Sequence, residues 1–264
     1  MHGAGNDFVL IDGRTRRFRP SAAQISAICD RHFGVGGDQL LVLEPGEEAA
    51  DLRLRIYNID GQEAETCLNA TRCAAWIILN ETGASSVRIA TMGGLIKASA
   101  AAPMQVTLRQ PEPRFEWQSV PLAEPRDTLN LGLQAGPLTA QGALSMGNPH
   151  LTCFVPDLDA IDVPRWADQL QKHPLLPQGA NVGVAQILSP EAMRLVVWER
   201  PGILTQACGS GACAAFTVAR RLGLITADRA EVAMPGGKLF VEETPEGALL
   251  LTGPVAVAFW GQLP

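Results

Sequence analysis

Residues 207–216 read Ala207-Cys208-Gly209-Ser210-Gly211-Ala212-Cys213-Ala214-Ala215-Phe216. The apolar run Ala212–Leu222, without proline and ended by Gly223, predicts a buried helix with a glycine stop. Cys208 then sits at or just before the first turn, where free backbone N–H groups and the positive end of the helix dipole favour a thiolate or an anion. A lone cysteine in such a place is more often a buried structural residue than a reactive one. This cysteine has a counterpart. Cys67 opens Cys67-Leu68-Asn69-Ala70-Thr71-Arg72-Cys73-Ala74-Ala75-Trp76, whose apolar run ends at Gly83.

The two stretches belong to a longer correspondence. Cys67 matches Cys208 at an offset of 141, and Cys73-Ala74-Ala75-Trp76 matches Cys213-Ala214-Ala215-Phe216 at 140. Outward from there, Leu52-Arg53-Leu54 matches Met193-Arg194-Leu195, and Gly5-Asn6-Asp7-Phe8 matches Gly147-Asn148-Pro149-His150. Gly34–Leu43 matches Gly179–Leu188, and Met92-Gly93-Gly94 matches Pro235-Gly236-Gly237. Offsets held between 140 and 145 over nearly the whole chain indicate an internal duplication, with one cysteine at a helix N-terminus in each half.

Short alternating runs between glycines and prolines read as strands at Phe8–Ile11, Leu40–Leu43, Leu52–Tyr57, Val87–Ala90, Leu95–Ala100 and Gln105–Leu108. In the second half they read at Leu138–Ser145, Leu151–Val155, Val184–Leu188 and Arg194–Trp198. Ser21 is placed to cap a helix running toward Cys29, and a further helix is expected after Pro164. Five prolines between Pro111 and Pro137 mark the boundary, giving halves of residues 1–115 and 116–264, with the last strand able to pair back onto the first. A helix apolar on all sides must be enclosed. The expected fold is therefore α/β: two pseudo-symmetric homologous domains, each a curved sheet or open barrel wrapped around a central helix, with the active site in the cleft between them.

Composition bounds the function. Hydrophobic residues make up 47% and charged residues 18%, the composition of a soluble globular chain. No apolar run reaches the roughly 18 residues of a membrane span, and Met1–Phe8 lack the features of a signal peptide. A net charge of −6 without a basic stripe argues against nucleic acid; Arg14, Arg16, Arg17 and Arg19 read as a solvated loop. Six cysteines in this setting suggest a reducing compartment, the cytoplasm. The chain carries no Cys-x-x-Cys, P-loop or dinucleotide-binding fingerprint, and no lysine in a pyridoxal-phosphate context. No metal and no cofactor is expected.

Two thiols at helix N-termini, facing each other across a small carboxylate ligand, suit inversion of a carbon centre. One thiolate takes a proton from one face while the other thiol delivers one to the opposite face, and fixed donors hold the developing carbanion.

The residues also carry a resemblance. Met1–Phe8, Gly37-Asp38-Gln39, Asn58-Ile59-Asp60-Gly61, Gly147–His150, Asn181-Val182, Trp198-Glu199-Arg200, Ala207–Ala214 and Pro235-Gly236-Gly237 together resemble the diaminopimelate epimerases, a cofactor-independent amino-acid racemase and epimerase group. The resemblance spans almost all 264 residues. It implies interconversion of LL- and meso-diaminopimelate, in lysine and peptidoglycan precursor synthesis. Cys67 and Cys208 would be the acid/base thiols, with His150 the partner of Cys67 and Glu199 the partner of Cys208. Asn58, Asn148, Asn181 and Arg200 would hold the far end of the substrate, and Asn6 and Gln39 would line the site. Gly209 and Ser210, with Leu68 and Asn69, would offer backbone N–H groups to the α-carboxylate. A small amino-acid substrate is the implied partner, and the family admits a homodimer.

The sequence departs from the family pattern at Leu68 and Ala70, where glycines are usual, at Pro201 and Ile203 in the loop before Cys208, and at Gly183. Two other readings stay open at this point. One is a related cofactor-independent racemase of another amino acid. The other is a binding protein that keeps the cleft with impaired catalysis.

Overall fold

The computed structural model describes residues 1–47 and 49–263. It divides into two units, Met1–Arg109 with Thr252–Pro264, and Gln110–Leu251. The fold is α/β, and the same succession of strands and helices builds each unit.

In the first unit a hairpin joins His2–Gly3 to Asn6–Asp12. Its two turn residues, Ala4 and Gly5, both take positive φ (50° and 82°), the twist that a two-residue hairpin demands. Helix α1 (Ala22–Cys29) then crosses to Gln39–Pro45, which pairs parallel with Asn6–Asp12. Ser21 caps α1 in a reciprocal box with Gln24. Gln39–Pro45 turns back antiparallel into Leu52–Asn58. Helix α2 (Leu68–Thr82) is the second crossover, to Ser86–Thr91, parallel to Leu52–Asn58. Gly94–Ala102 and Gln105–Arg109 add antiparallel strands.

The second unit repeats these pairings in the same order and sense. Gly142–Ser145 pairs antiparallel with Pro149–Phe154. Helix α3 (Val163–Gln171) crosses to the parallel strand Asn181–Ser189, which pairs antiparallel with Ala192–Glu199. Helix α4 (Gly209–Arg221) crosses to the parallel strand Arg229–Met234, followed by antiparallel Gly237–Glu243. A parallel pair needs a long crossover, and each unit supplies two, both helical. The duplication read in the sequence is thus a duplication of topology.

Within each unit, one helix of the two is enclosed. α2 touches strands His2–Gly3, Leu52–Asn58, Ser86–Thr91, Gly94–Ala102 and Gln105–Arg109. α4 touches the five long strands of its own unit that run from Pro149 to Glu243, and Gly142–Ser145. Their composition explains the enclosure. Ala70, Cys73, Ala74 and Ala75 of α2, and Ala212, Cys213, Ala215 and Phe216 of α4, are all fully buried. Small side chains let strands approach on every side. The strands answer with alternation: Leu52, Leu54 and Ile56 face α2, while Arg55 points outward to Glu44 and Glu63 at 2.9 Å each. The other helix of each unit lies on the outer face. α1 packs Ile25 and Cys29 on Val9 and Leu40, and α3 packs Val163, Ala167 and Leu170 on Val182 and Val184.

Three local readings need correction. α3 begins at Val163, capped by the Asp162 side chain, so Pro164 lies inside the first turn rather than before it; proline costs nothing where no N–H is needed. The strand expected over Leu138–Ser145 is two, Leu138–Thr139 and Gly142–Ser145, parted where Gln141 turns its amide onto the main chain of Phe154. Arg14 is not merely solvated: it pairs with Asp12 and with Glu81 at 2.6 Å each, while Arg16, Arg17 and Arg19 are exposed.

Candidate active site

Each cysteine of interest is the N-cap of the enclosed helix of its unit. Cys67 has φ −145° and ψ 110°, and Cys208 has φ −126° and ψ 106°. Both are extended residues that turn the chain from loop into helix, so both side chains stand beside the first-turn amides. The first intrahelical bonds are Thr71 N–H to the Cys67 carbonyl and Ala212 N–H to the Cys208 carbonyl. The amide-rich ends therefore begin at Leu68 and at Gly209.

In the first unit, Cys67 Sγ donates to Asn6 Oδ1 at 3.6 Å, and Asn69 Nδ2 donates to the same oxygen at 3.2 Å. The positive-φ turn at Ala4-Gly5 delivers Asn6 to this point. Asn6 is held from behind: its Nδ2 donates to Asp38 Oδ2 at 2.8 Å. Asp38 and Asp7 share the Arg31 guanidinium, at 2.7 Å each, and that guanidinium holds the Asp7 carboxyl below its usual range. Arg72, fully buried in α2, donates to Asn69 Oδ1 at 2.6 Å. Gly3 packs on the same turn; a Cβ there would lie 3.1 Å from the Asn69 carbonyl. Gln39 and Asn58, opposite each other on neighbouring strands, bond through Nε2 and Oδ1 at 2.9 Å. Leu68, where the family pattern has glycine, packs its side chain against the core around α2, and Ala70 is fully buried.

In the second unit, Cys208 is buried. Gly211 N–H donates to its Sγ at 3.3 Å, and the Ser210 hydroxyl lies 3.6 Å away. Burial pushes the thiol well above its ordinary value, and the Glu199 carboxylate beside it pushes further; Ser210 and Gly211 pull weakly the other way. Cys208 thus rests as a protonated thiol. Glu199 ends its strand and accepts a bond from the Thr205 hydroxyl at 2.7 Å. Next to it, Arg200 N–H donates to Asn181 Oδ1 at 3.0 Å, and the Arg200 guanidinium donates to the Gln178 carbonyl at 3.1 Å. His150 is buried, with Nε2 and Asn148 Oδ1 3.0 Å apart. An amide oxygen there puts the ring proton on Nε2. Burial, helped by the Arg200 charge, pushes His150 down to about 3, so the ring is neutral at ordinary pH.

Every residue singled out in the sequence sits in one of these two settings. Asn6, Gln39, Asn58, Cys67, Leu68 and Asn69 belong to the first unit, and Asn148, His150, Asn181, Glu199, Arg200, Cys208, Gly209 and Ser210 to the second. Sequence reading missed Thr205, Asp38, Arg31 and Gln178, the residues that hold the site side chains in place. Asp38 stood inside a quoted motif; the others carry no motif signal. Among the described residues no cluster of three or more His, Cys, Asp or Glu could hold a metal ion.

Comparison with known proteins gives the chain a family. The family model described as diaminopimelate epimerase matches residues 1–114 and 142–258. The chain belongs to the diaminopimelate epimerase family. It is 43% identical over 268 residues to a diaminopimelate epimerase of Phenylobacterium zucineum, covering all of this chain and 96% of that protein. It is 46% identical to one of Acidiphilium cryptum, covering all of this chain and 94% of that protein. The family is one of isomerases, and the fold extends beyond it. A phenazine biosynthesis protein of the PhzF family from Bacillus anthracis superposes with a TM-score of 0.64 at 16% identity, covering 96% of this chain and 92% of that one. A hydroxyproline epimerase from Agrobacterium vitis superposes with a TM-score of 0.62 at 17% identity, covering 96% and 86%. At such identities the likeness is one of fold.

Proposed function

We propose that the chain is a diaminopimelate epimerase, interconverting the LL and meso forms, with Cys67 and Cys208 as its two acid/base thiols. The observation that carries this is the pair of topologically equivalent cysteines, each the N-cap of the enclosed helix of its repeat. In one direction a Cys67 thiolate takes the α-proton and becomes a thiol, while the Cys208 thiol protonates the other face of the carbanion and becomes a thiolate. The reverse direction exchanges the roles, and no proton is gained or lost overall. Cys208 is suited to donate first, because burial and Glu199 keep its proton on sulfur. The helix-end amides of Leu68, Asn69, Gly209 and Ser210 take the α-carboxylate, whose charge they favour.

His150 serves Cys67: with Nε2 committed to Asn148, a neutral ring has Nδ1 as its acceptor. Glu199 serves Cys208. Asn58, Asn148, Asn181 and Arg200 hold the far amino-acid end, with Asn6 and Gln39 lining the site. No cofactor enters these steps. The setting is cytoplasmic lysine and peptidoglycan precursor synthesis, and the family admits a homodimer; no helix among the described residues is long and apolar enough to cross a membrane.

Leu68 and Ala70 pack into the core of the first unit, so the departure from glycine there gives no reason for a changed substrate. The test is turnover of LL-diaminopimelate by the reduced protein, followed by chiral chromatography, beside a panel of single amino acids such as alanine, glutamate and proline. Formation of the meso isomer with no racemisation of the panel supports the reading. Faster racemisation of any single amino acid overturns it.

A further inference from the structure

We propose that Thr205 is a positioning residue of the epimerisation: its hydroxyl fixes the Glu199 carboxylate in the orientation from which that group governs the proton on Cys208. The inference rests on the functional reading above and goes beyond it by naming what holds one half of the acid/base machinery in place.

The geometry is local and complete within the second unit. Strand Ala192–Glu199 ends at Glu199, and the chain returns through Arg200-Pro201-Gly202 into the two-residue strand Ile203–Leu204. Trp198 pairs with Leu204 and Glu199 with Ile203. Gly202, at φ 129°, sends its N–H back to the Glu199 carbonyl at 2.8 Å. This tight return places Thr205, the next residue after the strand, so that its Oγ1 donates to Glu199 Oε1 at 2.7 Å. The chain then runs Gln206-Ala207 into Cys208, the cap of α4. One short loop therefore ties the carboxylate to the cysteine it faces.

A glutamate carboxylate on a strand end is placed by three rotatable bonds between the main chain and its oxygens, and its effect on a neighbouring thiol depends on where its charge lies. An O–H donor to one oxygen both favours the ionised form and fixes its direction. Glu199 and Arg200 come from the strand end, His150 from the strand Pro149–Phe154, and Cys208 from α4. His150 is neutral, and the Arg200 guanidinium is turned to the Gln178 carbonyl. Among these, Glu199 is the group that acts on the Cys208 thiol. Thr205 is the hydroxyl that holds Glu199.

The test compares Thr205→Val, which keeps the shape and removes the donor, with Thr205→Ser, which keeps the donor. Two readouts are needed, because a shift in one can be read without the other. The first is the rate of Cys208 alkylation by iodoacetamide against pH in substrate-free protein, read by mass spectrometry. In Thr205→Val the Glu199 charge is no longer fixed at the thiol, so the alkylation profile moves to lower pH, by roughly one unit; Thr205→Ser keeps the wild-type profile. The second is the pH dependence of kcat/KM on diaminopimelate. Thr205→Val lowers kcat on the order of tenfold to a hundredfold across the pH range with KM nearly unchanged; Thr205→Ser restores kcat. An unmoved alkylation profile in Thr205→Val, or a Thr205→Ser protein that behaves like Thr205→Val, overturns the role of Thr205. A wild-type protein inactive on diaminopimelate overturns the functional reading alone, since the alkylation profiles still report on Thr205.

Discussion

Lowering the pH from 7 to 5 should cost this protein stability through a single buried ring, His150. The ring is fully enclosed in the second unit, and burial with the nearby Arg200 charge pushes it from 6.5 down to about 3. The folded value lies below the unfolded one, so between these limits the unfolded chain binds a proton that the folded chain refuses. Stability is therefore full above pH 6.5 and falls as the pH drops toward 3. Integrating the two titrations, His150 alone removes about 2 kcal/mol between pH 7 and pH 5. The assay is urea unfolding at pH 7, 6 and 5, followed by tryptophan fluorescence; Trp117, Trp166 and Trp198 pack against the core of the second unit. His150→Gln keeps an amide able to donate to Asn148 and cannot take up the proton. The wild-type free energy should fall by about 2 kcal/mol more than that of the variant over this range. Equal losses in the two proteins would refute the reasoning, because the remaining titrating groups are common to both.

Other outcomes follow from packing and capping. Gly211→Ala would place a Cβ 2.9 Å from Val197 Cγ2 and 3.2 Å from Cys208 Sγ, so it should cost about 1–3 kcal/mol in urea unfolding and cut turnover sharply by displacing the thiol. Ser21→Ala removes the cap of α1 on the outer face and should cost about 1 kcal/mol with kcat unchanged. Cys153, buried and pushed up to about 12 by its surroundings, is an inert thiol; Cys153→Ala should lower the melting temperature and leave kcat within about threefold, as expected for packing without chemistry.

What the sequence disclosed, and what it withheld, divides along physical lines. The two enclosed helices were legible because an apolar run with glycine stops at Gly83 and Gly223 has no other comfortable home. The strands were legible where one face is buried, as in Leu52-Arg53-Leu54-Arg55-Ile56, where the reading ended one residue short of Asn58; the strand read from Val184 begins three residues earlier, at Asn181. The repeat made each of these readings twice, which is why the α/β architecture could be inferred. The failures lie where a side chain overrides a local pattern. Pro164 looks like a boundary, yet Asp162 caps the helix two residues earlier than the proline suggests. Ala140-Gln141 looks like strand, yet the Gln141 amide competes for the main chain of Phe154.

The site divides the same way. The residues proposed to react and bind stood in motifs, whereas of their supports only Asp38 did. Arg31 reaches Asp7 across 24 positions of chain and Asn6 reaches Asp38 across 32. Such contacts depend on which loops the fold brings together. Thr205 lies only six residues from Glu199, but the pairing requires the return through Gly202, and no spacing rule for a hydroxyl beside a carboxylate announces it.

The central claim, that two thiols share the proton transfer, is tested most directly by deuterium exchange at the α-carbons of LL- and meso-diaminopimelate in D₂O, followed by NMR. Wild-type protein, Cys67→Ser and Cys208→Ser are compared after reduction. The account predicts α-deuteration with inversion by the wild type, and loss of epimerisation in each single variant. Epimerisation at an undiminished rate in either variant would contradict it.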